Sequence, residues 1–235
     1  CTGIIKTDTI GSVVSAFGET NSTIYDATIS VGAITGKAIH FNETILGTIG
    51  YVLIRSSDGT AWYYASNANA TLTYTGTTHT NTTLDTLGDT TGMYSGQVVA
   101  KTDIPAGTRI LSVDSGTSVT LTAAATGSAA GTVTKTPIAK ILDVDFIATG
   151  THLSGFIALD RYPFYCTEDG FVYNGDLNTI IAYTASNKIA ANSSPDLPTA
   201  IALQAEKVLC FGNNSIEAFY NAGNAAGSIL SKYGI

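Results

Sequence analysis

One local pattern recurs in this chain and limits its fold more than any other feature: two apolar runs joined by a short turn rich in Asp, Asn and Gly. Tyr51-Val52-Leu53-Ile54-Arg55 and Thr60-Ala61-Trp62-Tyr63-Tyr64 flank Ser56-Ser57-Asp58-Gly59. Pro163-Phe164-Tyr165-Cys166-Thr167 and Phe171-Val172-Tyr173-Asn174 flank Glu168-Asp169-Gly170. Val208-Leu209-Cys210-Phe211 and Ser215-Ile216-Glu217-Ala218-Phe219-Tyr220 flank Gly212-Asn213-Asn214. Such turns between strand-like runs predict β-hairpins, because Asp, Asn and Gly tolerate positive φ. The turn positions Asp58, Asp169 and Asn213 lie 111 and 44 residues apart. Without residues 71–138 the first interval becomes 43. A strand-built period of about 40–45 residues is that of a β-propeller blade.

Residues 71–138 have a different texture. They hold 20 of the 36 Thr and only seven charged residues: Asp85, Asp89, Lys101, Asp103, Arg109, Asp114 and Lys135. Their aromatic content is Tyr74 and Tyr94. Short strands are predicted at 96–100, 104–108, 108–114, 115–122 and 131–136, separated by Gly-marked turns. The expected architecture is therefore all-β: a partial or complete β-propeller with an inserted small β-sandwich or barrel-like domain. Residues 1–70 form the first propeller part, 71–138 the insert, and 139–235 the second propeller part. The 167 residues outside the insert are enough for three or four blades. A new strand starts close to Ile235, so the expectation is a longer protein.

Composition narrows the function. Charged residues are 12% of the chain, against roughly 25% in an ordinary globular protein. With 44% hydrophobic residues, the chain is not disordered for want of apolar content. The net charge of −7 argues against tight nucleic-acid binding, which draws its affinity from neutralised phosphates. No apolar run approaches the 18 residues of a membrane-spanning helix. Cys166 and Cys210 lie in apolar runs and read as buried free thiols, with a 166–210 disulfide as the alternative. Cys1, without an initiator Met, marks a processed chain or a fragment; an acylated lipoprotein terminus is the competing reading.

The segment 153–223 has a distinctive order. A hairpin follows Leu159-Asp160-Arg161, a turn follows at Pro195-Asp196, and Gly212-Asn213-Asn214-Ser215-Ile216-Glu217-Ala218-Phe219 leads to Asn221-Ala222-Gly223. This order resembles the tail hub, or nozzle, proteins of short-tailed bacteriophages, which include the packaged DNA stabilization proteins that close the portal vertex. The likeness covers about 70 residues well, and about 165 more loosely through the blade pattern. It implies a virion tail subunit, a propeller in a ring of six copies. Its neighbours would be portal or adaptor proteins and a tail fibre or needle protein, with DNA passing through and no specific binding. The insert, with Ile104–Thr122, looks like the small β-modules carried by many phage virion proteins. The chain departs from the family by that insert and by its length.

The sequence offers no catalytic, cofactor or metal site, and the expectation is a protein without enzyme activity. Nucleophile-elbow, zinc-protease, P-loop and dinucleotide-binding motifs are absent. His40, His79 and His152 are scattered. Ser56–Trp62 is one residue short of an Asp-box, itself a device for folding hairpins. Asp143, Asp145 and Asp160 are the candidate paired acids of a glycosidase, and Asp143 and Asp145 share one face of an expected strand. The three arginines, Arg55, Arg109 and Arg161, are too few and too scattered for a sialidase triad. Six Asn-x-Ser/Thr triplets, at Asn21, Asn42, Asn69, Asn81, Asn192 and Asn213, are expected by chance in so Thr- and Asn-rich a chain. The runner-up function is a carbohydrate-binding or adhesin-like surface module, with Tyr63 opposite Trp62 and Tyr64 as a stacking platform and the insert making contacts.

Overall fold

The computed structural model describes residues 3–8, 13–20, 23–29, 40–46, 49–55, 59, 61–66, 73–192 and 196–234. The protein is all-β: among these residues it forms twenty strands and one helical turn. Strands β1 (Gly3–Asp8), β2 (Val13–Thr20) and β3 (Thr23–Ile29) make an antiparallel sheet. Strand β4 (His40–Leu46) pairs with β5 (Ile49–Arg55), and β6 (Trp62–Ser66) adjoins β5. Next come β7 (Thr73–Thr78), β8 (Thr83–Asp85), β9 (Gln97–Ala100), β10 (Ile110–Ser115), β11 (Ser118–Leu121) and the long β12 (Ala129–Lys140). The turn of helix α1 (Val144–Ile147) precedes β13 (Ile157–Leu159), β14 (Tyr162–Cys166), β15 (Phe171–Gly175) and β16 (Tyr183–Ala190). The last four strands are β17 (Pro198–Gln204), β18 (Lys207–Gly212), β19 (Ile216–Asn221) and β20 (Leu230–Lys232). The expected hairpins appear as β5–β6, β14–β15 and β18–β19. The turn residue Asp58 of the first lies outside the described residues.

The chain divides into two compact units. The first comprises 1–34 and 64–142. Within it the strands run β10-β11-β8-β7-β12, and β9 also pairs with β12. Their core gathers Tyr74, Leu84, Leu87, Met93, Val99, Ile104, Ile110, Val119, Leu121, Ala125 and Val133, all from the Thr-rich segment. β12 pairs with β7 from Ala129↔Thr78 to Thr134↔Thr73, so this segment leaves and returns side by side.

One local expectation for this segment needs correction, and two strands escaped it. Residues 104–108 form turns, not a strand, because Pro105 has no N–H to offer a ladder. Ile104 N–H instead bonds to Lys101 O and Thr108 N–H to Pro105 O. Strands β7 and β8 had no apolar alternation to announce them. The inward positions of β7 include Gly76 and Thr78 beside Tyr74.

The second unit comprises 35–63 and 143–235. It carries two four-stranded antiparallel meanders, β13-β14-β15-β16 and β17-β18-β19-β20. Their first strands begin 41 residues apart, at Ile157 and Pro198, and their second strands 45 apart, at Tyr162 and Lys207. Each opens with a two-residue hairpin turn in which both residues have positive φ, Asp160-Arg161 and Ala205-Glu206. Between the sheets lie Ile157, Phe164, Cys166 and Val172 of one and Ile201, Val208, Cys210 and Phe219 of the other.

Polar ties hold these two sheets in register. Asn174 Oδ1 accepts from Ser228 Oγ at 2.9 Å and from Ile229 N–H at 3.3 Å. Asp160 Oδ2 accepts from Asn221 Nδ2 at 2.8 Å. Ser154 O accepts from Ile201 N–H at 2.9 Å, and the next residue is Gly155 at φ +95°. A Cβ on Gly155 would stand 2.1 Å from Ile201 O, so only glycine permits this approach.

Candidate functional site

Two polar clusters stand out on the Thr-rich segment. In the first, Thr78 is fully buried between Lys101 and Asp103. Its Oγ1 donates to Asp103 Oδ2 and accepts from Lys101 Nζ at 2.9 Å, while Lys101 also pairs with Asp103 Oδ1. The Lys101 hydrogen bond, ahead of that from Thr78, holds the Asp103 carboxyl below its ordinary value. A hydroxyl between an amine and a carboxylate has the composition of an activated nucleophile. Thr78 has no exposed surface, however, so its hydroxyl is out of reach of a substrate.

In the second cluster, His79 Nε2 lies 3.0 Å from Asp85 Oδ2, both side chains more than a third exposed. A base of this kind needs a nucleophile within reach. Among the described residues, Asp85 is the one side chain with which His79 shares a hydrogen bond. His40 lies in β4, its side chain outside the described residues.

The candidate acids have structural partners. Asp143 and Asp145 do not share a strand face. Asp143 is the N-cap of α1, accepting from Phe146 N–H at 3.0 Å and from Tyr183 N–H at 3.3 Å, while Asp145 accepts from Ala185 N–H at 3.2 Å. Each carboxylate therefore satisfies backbone donors, of its own helix or of β16. Asp160 occupies the β13–β14 turn and is bonded to Asn221. Asp169 closes the β14–β15 turn, accepting from Thr167 Oγ1, Phe171 N–H and Tyr173 OH. Among the described residues no three His, Cys, Asp or Glu gather to hold a metal ion.

The aromatic platform is likewise part of the interior. Trp62, Tyr63 and Tyr64 are 0%, 9% and 3% exposed, leaving no ring face for a sugar. Trp62 packs on Phe156, with centroids 5.3 Å apart. His152 is buried against Phe146 and stacks on Tyr165 at 4.9 Å. Burial, reinforced by the Arg55 charge, pushes its pKa down to about 4, so it is neutral at pH 7. Arg55 donates through Nη1 to the carbonyl of His152.

Cys166 and Cys210 are free and buried in the same apolar cluster. The Cys210 hydrogen bond, together with burial, pushes the Cys166 thiol well above its ordinary value. A protonated buried thiol is a poor nucleophile. The other arginines serve the scaffold: Arg109 Nη1 donates to Gly96 O at 2.6 Å, and Arg161 Nε to Asn178 Oδ1.

Exposed apolar side chains occur on β10 and β19. On β10, Ile110 turns inward while Leu111 and Val113 are 50% and 42% exposed. On the last sheet, Ile216 and Tyr220 of β19 are 58% and 42% exposed, with Tyr233 beside them. No helix among the described residues is long and apolar enough to cross a membrane. No protein-family model matches the chain, and no curated protein is similar to it.

Proposed function

We propose that this chain is a non-enzymatic structural component of a bacteriophage tail, a hub or nozzle subunit whose copies close into a ring around the genome channel. The observation that carries the reading is the pair of consecutive four-stranded meanders, repeated at blade-like spacing and packed face to face. Their elements follow the order on which the family resemblance rests: the β13–β14 hairpin after Leu159, the turn at Asp196 and the β18–β19 hairpin ending at Asn221. Pro195 of that turn lies outside the described residues. The Thr-rich segment, with its own core, is the inserted domain, flanked by the propeller parts 1–70 and 139–235.

The charge of −7 suits a conduit. DNA that must slide out is slowed by Lys and Arg contacts, each adding salt-dependent attraction. Six copies in heterologous contact close such a ring by rotation. Portal or adaptor proteins adjoin it on one side and a fibre or needle protein on the other, in the virion. Electron microscopy of the assembled particle tests this: six-fold density containing the chain supports it, and a monomer in the particle refutes it. Tight DNA binding at low salt, along a basic stripe, would also count against it.

A further inference from the structure

Residues 151–153 join two hairpins of the second unit. His152 N–H donates to Gly59 O at 2.9 Å, and Arg55 Nη1 donates to His152 O, tying the segment to the β5–β6 hairpin. A Cβ on Gly59 would stand 2.6 Å from His152 O, so the two backbones are in contact. On the other side Leu153 N–H donates to Cys166 O at 2.9 Å and Glu168 N–H to Thr151 O at 3.0 Å. His152 also bridges to Thr167, next to the end of β14. Its ring, 1% exposed, is wedged between Phe146 and Tyr165.

The hydrogen bonds around this ring fix where its proton lies. Thr149 Oγ1 gives its one hydrogen to Phe146 O at 2.8 Å, so toward His152 Nε2, 3.3 Å away, it is an acceptor. Nε2 therefore carries the N–H and Nδ1 the lone pair. Nδ1 is buried and has no hydrogen-bonding partner among the described residues. A second proton would arrive at Nδ1, where nothing accepts it, and would create a cation under the influence of the Arg55 charge. Both effects oppose an imidazolium in this slot.

Neighbouring carboxylates offer no compensation. Asp143 and Asp145 of α1 accept from backbone N–H groups of α1 and β16. Asp169 accepts from Phe171 N–H and Tyr173 OH, and Glu168 is exposed. Tyr165, Tyr173 and Tyr183, from β14, β15 and β16, are phenols and carry no charge in acid.

We propose that His152 is an acid-release latch: protonation of its ring unseats residues 151–153 and parts the β5–β6 hairpin from β14, while the two meanders stay paired. Water stabilises the imidazolium that the slot rejects, so the proton favours the opened segment. The joint between the meanders holds no such group. Its core is apolar, and Asn174 ties it to Ser228 by an amide and a hydroxyl. The slot holds the His152 pKa near 4, against an ordinary 6.5 once opened. The closed state is therefore fully favoured above pH 6.5 and loses ground as the pH falls toward 4. Between pH 7 and pH 4 the opening equilibrium should gain roughly a hundredfold. The latch does not rest on the tail assignment.

Hydrogen–deuterium exchange of the full chain at pH 7 and pH 4, corrected for intrinsic exchange, tests it. Peptides spanning 51–66 and 150–156 should lose roughly a hundredfold in protection, and those spanning 207–221 less than about threefold. An equal loss across 207–221, or none across 150–156, overturns the latch. His152→Gln should keep its protection at pH 4, and a loss like that of wild type also overturns it. Should that variant fail to fold, wild-type Trp62, the chain's one tryptophan, gives the second readout. It is buried against Phe156, and its emission should shift to the red at the midpoint of the His152 ring-proton titration followed by NMR. Two separate midpoints would refute the latch.

Discussion

Thr73 and Thr134 face each other as partners in the β7–β12 ladder, near the two ends of the Thr-rich segment. Paired residues of an antiparallel ladder have Cα atoms about 4.5–5.5 Å apart. A long insertion whose ends meet at this spacing can be removed without pulling its flanks apart. The core of the segment lies wholly between Tyr74 and Val133, so its removal strips no side chain from the apolar core of the other unit.

Replacing Tyr74–Val133 by Asn-Gly, the shortest turn that joins such a pair, should therefore leave a folded β-protein. Circular dichroism and a thermal melt check this. A cooperative transition is expected. An insoluble or non-cooperative product would show that the segment is not a separable insert.

Gly155→Ala should be strongly destabilising. The added methyl would meet Ile201 O at 2.1 Å, and the backbone would hold alanine at φ +95°. The cost is expected to reach about 2–4 kcal/mol, larger than that of an ordinary surface change. Urea unfolding measures it. A loss below about 0.5 kcal/mol would mean that the approach of Ser154 to β17 is not what joins these sheets.

His152 predicts a particular acid sensitivity. Its folded pKa of about 4 lies below the ordinary 6.5, so the unfolded chain binds the proton first. Stability from this residue is complete above pH 6.5, falls as the pH drops toward 4, and changes no further below that. The span corresponds to a loss on the order of 3 kcal/mol. His152→Gln should flatten this part of the stability curve relative to wild type in chemical unfolding at pH 4, 5, 6 and 7. Identical slopes in the two proteins would refute the assignment.

Cys166 and Cys210 should resist thiol reagents until the protein unfolds. In a Cys1→Ser background, Ellman's reagent is expected to release almost no colour from native protein and two equivalents in denaturant. Burial and the Cys210 hydrogen bond to Cys166 both suppress the thiolate that reacts. Fast native reaction would show that the β14–β18 cluster opens to solvent.

Removing Asp143 should loosen α1. Asp143→Ala leaves Phe146 N–H and Tyr183 N–H without their acceptor, at a cost of about 1–2 kcal/mol in a melt. An unchanged melting temperature would show that water replaces the carboxylate at no cost.

The sequence by itself determined the hairpins, the repeat and the all-β class. Gly170 and Asn213 punctuate strand runs whose apolar residues need no distant partner to declare a strand, so β14–β15 and β18–β19 were legible locally. What only the tertiary structure decided was where polar residues go. Asp143 and Asp145 have the two-residue spacing of a strand face, yet backbone donors of α1 and β16 claim them. Thr78 and Gly76 occupy inward positions on β7 because Lys101 and Asp103 satisfy the hydroxyl and Leu84 and Leu87 fill the space over the glycine. Tyr63 alternates as a surface residue should, but the folded chain buries it. Hydrophobic periodicity is a local property that a sequence carries openly. The partner of a carboxylate, a hydroxyl or a ring is set by segments tens of residues away, and becomes visible only once the chain has folded.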